Sequence, residues 1–319
     1  MGFPFLPLQR DQKREVNSPL PQSIYRYGER LLFSPKAWEW PLLVGLFPLS
    51  LLYCGGALLP FLKPRRRPPI PVVSVGNLVV GGSGKTPFTI GLANWLGERW
   101  RVGVLSRGYR RKSRGVVVVA EGGRVRVPPE IGGDEPVEIG ERIEGVVVVA
   151  EERWAGLQKL GELGVEIVIL DDGFRHPIWK VELLLDPPVK NPFCLPAGPY
   201  RLPKFLKKGA DLILEEGVHF QRRIPRKKGD ILVTGISRPE RLLRWVEVEE
   251  VQFFPDHHRY RPEEVAQWRG KRVVTTWKDW VKLREFGIEA EVLEVEVELT
   301  PFFKERFLSI LQEKFPNFS

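Results

Sequence analysis

The sequence predicts an α/β fold, a largely parallel sheet with crossover helices followed by a second, smaller α/β unit. Three observations predict it. Short β-branched runs recur at Ile70–Val75, Val102–Leu105, Val116–Val119, Val146–Val149 and Val165–Leu170, too continuously apolar for half-exposed strands. Between them lie helix-like stretches, Pro87–Trp100 and Arg153–Leu163, long enough to return the chain to a parallel neighbour. A basic, proline-broken stretch from Pro187 to Lys228 then precedes a second pattern, with strands near Ile231–Thr234 and Arg272–Thr276 and a final helix near Phe302–Lys314.

With 319 residues the chain has room for about two domains. It divides into an N-terminal segment (1–40), an apolar segment (41–62), a core domain (63–228) and a smaller α/β domain (229–319). Hydrophobic residues at 43% and charged ones at 28% exclude a disordered chain. Two cysteines exclude a disulfide framework, show no paired Cys/His spacing for zinc, and fit a reducing compartment. One methionine beside many Arg, Glu and Pro resembles a thermophile's composition. The net charge of +9 points to an anionic partner. That partner is not expected to be nucleic acid, because the Arg/Lys clusters lack interleaved aromatics.

Residues 41–62 contain no charged side chain, and as a helix they reach ~33 Å, enough to cross a hydrocarbon core of ~30 Å. Pro48, Gly55, Gly56 and Pro60 weaken an uninterrupted span; a membrane-embedded or monotopic anchor is the favoured reading, and a buried helical hairpin of a large soluble domain is the alternative. The run that follows, Lys63 to Pro69, carries four positive charges suited to anionic head groups, which places the rest of the chain on the cytoplasmic side.

After the first strand comes Gly81-Gly82-Ser83-Gly84-Lys85-Thr86. A glycine loop between strand and helix wraps its N–H groups around phosphate oxygens, and the helix adds its positive end. Lys85 is expected to reach the β- and γ-phosphates of ATP, and the Thr86 hydroxyl to hold Mg²⁺. The sheet is therefore expected to be P-loop NTPase-like. The usual loop has glycine five positions before Gly84, where this chain has Val79. The deviant loop of membrane-associated ATPase and GTPase switches is a second possibility, but its first lysine corresponds to Val80. A GTPase would also need a base-reading motif that Thr276-Trp277-Lys278-Asp279 does not provide.

Two acidic motifs follow. The strand at 165–170 ends in Asp171-Asp172-Gly173-Phe174-Arg175-His176, which reads as a metal-holding strand end. Gly133-Asp134-Glu135-Pro136 reads as a loop whose carboxylate accepts the proton of an attacking hydroxyl. His257, in Pro255-Asp256-His257-His258, is the candidate partner that closes onto that carboxylate. Arg107 and Tyr109, in a basic loop after a strand, suit capture of a substrate phosphate.

Taken in order, SVGNLVVGGSGKTP, LSRGYRRKS, GDEP, ILDDGFRH, LPAGPYR, PDHHRY and TTWKDWVKL resemble the lipid A 4′-kinases (tetraacyldisaccharide 4′-kinases) of Gram-negative bacteria. The resemblance implies ATP-dependent, Mg²⁺-requiring phosphorylation of the 4′-hydroxyl of a tetraacylated glucosamine disaccharide 1-phosphate. It implies two α/β domains that close over the nucleotide, on the cytoplasmic face of the inner membrane among anionic lipids, with no obligate protein partner. Carried over by position, Asp134 is the base with His257 as its partner, while Glu135, Asp171 and Asp172 lie near the metal with Thr86. Arg107, Tyr109, Arg153, His176 and Arg201 face the lipid head group or the transferring phosphate. Two departures stand out: Arg201-Leu202-Pro203 where the family has Arg-Glu-Pro, and Arg175 where it has Gln.

Overall fold

In the computed structural model, which describes residues 22–81, 83–236, 239–255 and 258–318, the chain folds around a large, mostly parallel sheet and a smaller parallel one. Two helices come first, α1 (Gln22–Phe33) and α2 (Trp40–Leu58). The large sheet collects β1 (Val72–Asn77), β2 (Val102–Ser106), β3 (Val117–Glu121), β4 (Arg124–Val125), β5 (Val146–Val149), β6 (Ile167–Asp171), β7 (Val181–Leu185) and β8 (Leu212–Leu214). Their order across the sheet is β4-β3-β5-β2-β6-β1-β7-β8. β3 pairs antiparallel with β5, and β4 with β3; the remaining pairings are parallel. The central strands are buried along their whole length, which is why the sequence shows continuous apolar runs.

Helices cover both faces. α3 (Lys85–Gly97) and α5 (Asp134–Arg142), which follows the short α4 (Pro129–Gly132), bury Phe88, Leu92, Leu96, Val137 and Ile139 on one side. α6 (Arg153–Glu162) packs Leu157 and Leu160 against Leu105, Val148 and Leu170 on the other.

β9 (Phe220–Arg223) follows the large sheet, and then come β10 (Lys227–Lys228), β11 (Ile231–Thr234), β12 (Val246–Glu247) and β13 (Glu250–Phe253). α7 (Pro262–Ala266), β14 (Val273–Thr276), α8 (Trp277–Leu283), β15 (Ala290–Leu293), β16 (Glu296–Leu299) and α9 (Pro301–Lys314) complete the chain. The second sheet has the order β13-β11-β14-β15 and is wholly parallel, with its own core around Trp268.

The C-terminal segment departs from the sequence expectation. A division at 229–319 assigns it to the smaller unit, but β16 pairs with β9, and Phe303, Phe307, Ile310 and Leu311 of α9 enter the large sheet's core. Burial of these side chains against Phe88, Trp95 and Phe220 outweighs sequence proximity.

α2 is docked along one face. Leu43 and Ser50 are buried, and Cys54, Ala57 and Phe61 are half-buried on the same stripe, spaced three, four and seven apart. The partner is the 191–202 segment: Phe193 packs on Trp40 and Phe47, and Ser50 Oγ donates to Cys194 O at 2.8 Å and accepts from Ala197 N at 3.0 Å. Cys54 and Cys194 form a disulfide, Cα atoms 6.3 Å apart, rather than the free thiols a reducing compartment maintains. The opposite face, with Leu42, Leu49, Leu51, Leu52, Leu59 and Leu62, is exposed. Beyond it Arg66 lies over the Trp154 ring at 4.0 Å, and Arg67 over Trp179 at 5.5 Å.

Candidate active site

The site forms at the carboxyl ends of β1, β2 and β6, where β6 lies between β2 and β1 in the strand order. After Asn77 the chain turns through a loop in which Gly81 and Gly84 have φ of +85° and +82°. The positive φ of Gly84 requires glycine, and a Cβ there would fall 2.6 Å from the Arg222 guanidinium, which would have to move aside. Lys85 then opens α3, whose first-turn N–H groups face the loop. Gly82 lies outside the described residues.

Side chains fix the loop from behind. Asn77 Nδ2 donates to Ser83 Oγ at 2.7 Å, and Lys85 Nζ donates to Asn77 Oδ1 at 3.2 Å. Lys85 Nζ is also 3.8 Å from Asp172 Oδ1. From β9, Arg222 donates to Ser83 O at 3.2 Å and pairs with Glu216 at 3.2 Å. Thr86 is half-buried in the first turn of α3.

The two adjacent aspartates differ. Asp171, the last residue of β6, is buried; its Oδ2 accepts from Ser106 Oγ at 3.1 Å, and its Oδ1 has no hydrogen-bond partner. Burial, with the charge of Glu135 added, pushes Asp171 up to about 7. Asp172, at φ +54°, is gripped by Arg201 through both oxygens, at 2.8 and 2.7 Å. Burial opposes ionisation there, but the Arg201 bonds and the Lys85 charge hold Asp172 well below the usual carboxylate range. Asp172, expected beside the metal, has both oxygens bonded to Arg201.

Asp134 and Glu135 begin a helix, not the loop that the glycine and proline suggested. They form the first turn of α5, where the helix dipole favours carboxylates. Gly133, at φ +90°, lets the chain pass close to the loop after β2: a Cβ there would lie 3.3 Å from Gly108 Cα. Asp134 Oδ2 is 3.4 Å from Lys282 Nζ of α8, and Lys282 donates to His258 O at 3.1 Å. His257 lies outside the described residues. His258 is bonded to Glu264 at 3.0 Å and stacked on Phe254.

The five residues expected to face substrate do not share one surface. Arg107 and Tyr109 are exposed. Arg153 is buried beneath the strand ends, donating to Ala150 O and to Ser106 O, and burial pulls it down to about 10. Arg201 is spent on Asp172 and Asn77. Arg153 is thus an internal residue, whereas Arg201 is half-buried at the cleft with its guanidinium bonded within the chain. His176 is half-buried, and burial, with Arg153 beside it, takes it down to about 4, leaving it neutral.

A small cleft lined by Asn77, Asp172, Phe174, Arg175, Arg201 and Leu202 opens at this end of the sheet. Leu202 is buried with Phe174, Leu184 and Tyr200, so an apolar contact stands where the family pattern places Glu. The Phe174 ring lies 6.0 Å from Phe61, beyond the end of α2, which joins the cleft to the apolar helix.

Three residues that the motifs did not single out belong to this arrangement. Asn77 closes the strand before the loop and Lys282 sits in the TTWKDWVKL run, so both lay inside noted segments. Arg222 carried no signal, because only the β9–β16 pairing brings it to the loop.

A profile of the family described as tetraacyldisaccharide-1-P 4′-kinase matches residues 42–230 and 216–315. A tetraacyldisaccharide 4′-kinase of Aliarcobacter butzleri is 38% identical over 288 residues, covering 84% of this chain and 90% of the relative. One from Helicobacter pylori is 38% identical over 286 residues, covering 86% and 91%. The "apo" form of LpxK from Aquifex aeolicus, crystallised in complex with ATP, superposes with a TM-score of 0.69 at 30% identity, over 84% of this chain and 98% of that one.

Proposed function

The chain belongs to the tetraacyldisaccharide-1-P 4′-kinase family, and we propose a division of that reaction among the residues described above. It is an ATP-dependent kinase of lipid A biosynthesis, acting on the 4′-hydroxyl of a tetraacylated glucosamine disaccharide 1-phosphate. One observation carries the assignment of roles: the Lys85 loop, the Asp171 carboxylate and the Phe174–Phe61 contact with the apolar helix meet at one end of the large sheet.

In this reading Gly81, Gly82, Ser83 and Gly84 wrap the phosphates with backbone N–H groups, and Lys85 neutralises charge on the oxygens between the β- and γ-phosphorus atoms. Asn77 and Asp172 hold the Lys85 ammonium in place, and Arg201 keeps Asp172 ionised for that purpose. The unpartnered Asp171 Oδ1, next to the Glu135 charge, fits a hard divalent cation. Asp171, Glu135 and the Thr86 hydroxyl would hold Mg²⁺, which when bound neutralises phosphate charge during transfer. Among the described residues no three His, Cys, Asp or Glu side chains gather into a closed metal site, in keeping with an ion that shares its ligands with nucleotide and water.

Asp134 accepts the proton of the 4′-hydroxyl as its oxygen attacks the γ-phosphorus, and His257 is its partner on the second sheet's side. Arg107 and Tyr109, exposed beside the site, receive the substrate's anionic head group, with Arg175 at the cleft mouth. The smaller unit is the part of the chain carrying β11–β15, with the C-terminal helix returned to the core unit. The two units close over the nucleotide.

The apolar helix lies in the plane of the membrane. Its stripe from Leu43 to Phe61 is docked on the protein over ~27 Å of helix, so lipid meets only its exposed leucine face. In this reading the site works at the cytoplasmic surface of the inner membrane, with anionic lipids near Arg65, Arg66 and Arg67. Co-sedimentation with vesicles, with and without residues 22–62, tests the placement. Unchanged binding by the shortened chain would refute it.

A further inference from the structure

We propose that Lys282 is a positioning residue for the base, holding the Asp134 carboxylate in its working orientation and tying that orientation to the closed arrangement of the two sheets. The inference rests on the reading of Asp134 as the base.

One ammonium group joins two parts of the chain. Lys282 Nζ stands 3.4 Å from Asp134 Oδ2, at the start of α5 on the large sheet, and donates at 3.1 Å to His258 O, in the loop after β13. Both charged side chains are mostly withdrawn from solvent, at 14% and 22% exposure, so the pair is screened far less than a surface pair. Of its donors, one is held by His258 O within its own unit, and the ammonium faces Asp134 across the junction.

The platform beneath Lys282 is rigid. Buried Asp279, one turn earlier on α8, accepts from Thr234 Oγ1 and Gly235 N at 2.9 Å each and from Thr276 Oγ1 at 2.8 Å. These bonds fix the start of α8 to the end of β11. The loop that supplies His258 O packs on the same knot, since a Cβ on Gly235 would meet Pro255 O at 2.8 Å and His258 Cβ at 3.4 Å.

Lys282 is also the site end of a longer charged seam. Arg284 pairs with Glu141 of α5, at 2.5 Å, and Lys278 places its charge beside Glu138. Carboxylates at 134, 138 and 141 of α5 thus face cations at 278, 282 and 284 from the second sheet. Separation of the two sheets removes this cation from Asp134 and with it the ion pair that orients the carboxylate toward α8. Closure restores the ion pair, so Lys282 orients the base only in the closed form.

The experiment is a double-mutant cycle on the full-length protein, with Asp134→Asn, Lys282→Met and both together, and with Lys282→Arg as the conservative variant. Lys282→Met is expected to lower kcat by ~10–100-fold with less than ~3-fold change in the KM for ATP, and Lys282→Arg to recover most of the loss. In the Asp134→Asn background the same Lys282→Met change is expected to cost less than ~3-fold, because Lys282 acts through Asp134. An equal loss in both backgrounds, or a Lys282→Met enzyme with normal kcat, overturns the role of Lys282. Near-normal turnover by Asp134→Asn alone overturns the base assignment instead. Should Lys282→Met fail to fold by circular dichroism, Lys282→Gln is carried through the same cycle and decides the question on the same criteria.

Discussion

Arg201 grips Asp172 through both carboxylate oxygens, at 2.8 and 2.7 Å, while the next carboxylate in sequence, Asp171, keeps one buried oxygen without a partner. Neighbouring aspartates at the end of one strand are thereby given different work. Asp172 is a fixed anion beside Lys85, and Asp171 is the carboxylate proposed to hold the cation.

Magnesium titration separates the two. Asp171→Asn is expected to raise the Mg²⁺ concentration for half-maximal activity by ~10-fold or more, since it removes a ligand. Asp172→Asn should leave that concentration within ~3-fold and lower kcat instead. Arg201→Lys, which cannot offer a two-pronged donor, should behave like Asp172→Asn. A large Mg²⁺ effect in Asp172→Asn would return that carboxylate to the metal.

Glu138 makes stability depend on pH. Burial pushes it from an ordinary value of 4.5 up to about 7, against the pull of Arg142 at 3.5 Å. Between these values the folded chain keeps a proton that the unfolded chain has released, so the carboxyl's contribution to stability falls as pH rises through the window. Glu138→Gln, which never ionises, should match the parent near pH 5 and exceed its Tm by ~2–4 °C at pH 8.5. A constant difference across pH would exclude Glu138 as the source.

The exposed face of α2 should control membrane binding alone. Leu42, Leu49 and Leu52 are 55%, 53% and 74% exposed, away from the stripe that meets Phe193 and Cys194. Changing all three to Ser is expected to weaken vesicle binding by on the order of tenfold or more per residue, with Tm unchanged. Loss of Tm would mean that the face packs on protein, not lipid.

The large sheet was legible because a strand buried on both faces writes a continuous apolar run, as at Val146–Val149 and Ile167–Leu170. The phosphate loop was legible because its chemistry is local, a glycine turn between a strand and a helix start. What escaped depends on long-range contacts. The aromatic face of α9 reads as an ordinary amphipathic helix, and only packing against Phe88 and Trp95 assigns it to the large sheet. Arg153 and Arg201 are expected to face substrate from the family resemblance, which carries a position but not its partners: Arg153 is buried on Ala150 O and Ser106 O, and Arg201, at the cleft, is bonded to Asp172. Cys54 and Cys194 are 140 residues apart, and nothing local announces their bond.

Transfer of the terminal phosphoryl group tests the central claim most directly. The purified chain is incubated with Mg²⁺, γ-labelled ATP and a tetraacylated glucosamine disaccharide 1-phosphate in mixed micelles, in parallel with Lys85→Ala. The account predicts one labelled lipid, with the new phosphate on the 4′-oxygen, formed by the parent and slowed by ~10³-fold or more in a folded Lys85→Ala protein. Release of labelled inorganic phosphate with no labelled lipid, or undiminished transfer by Lys85→Ala, would contradict it.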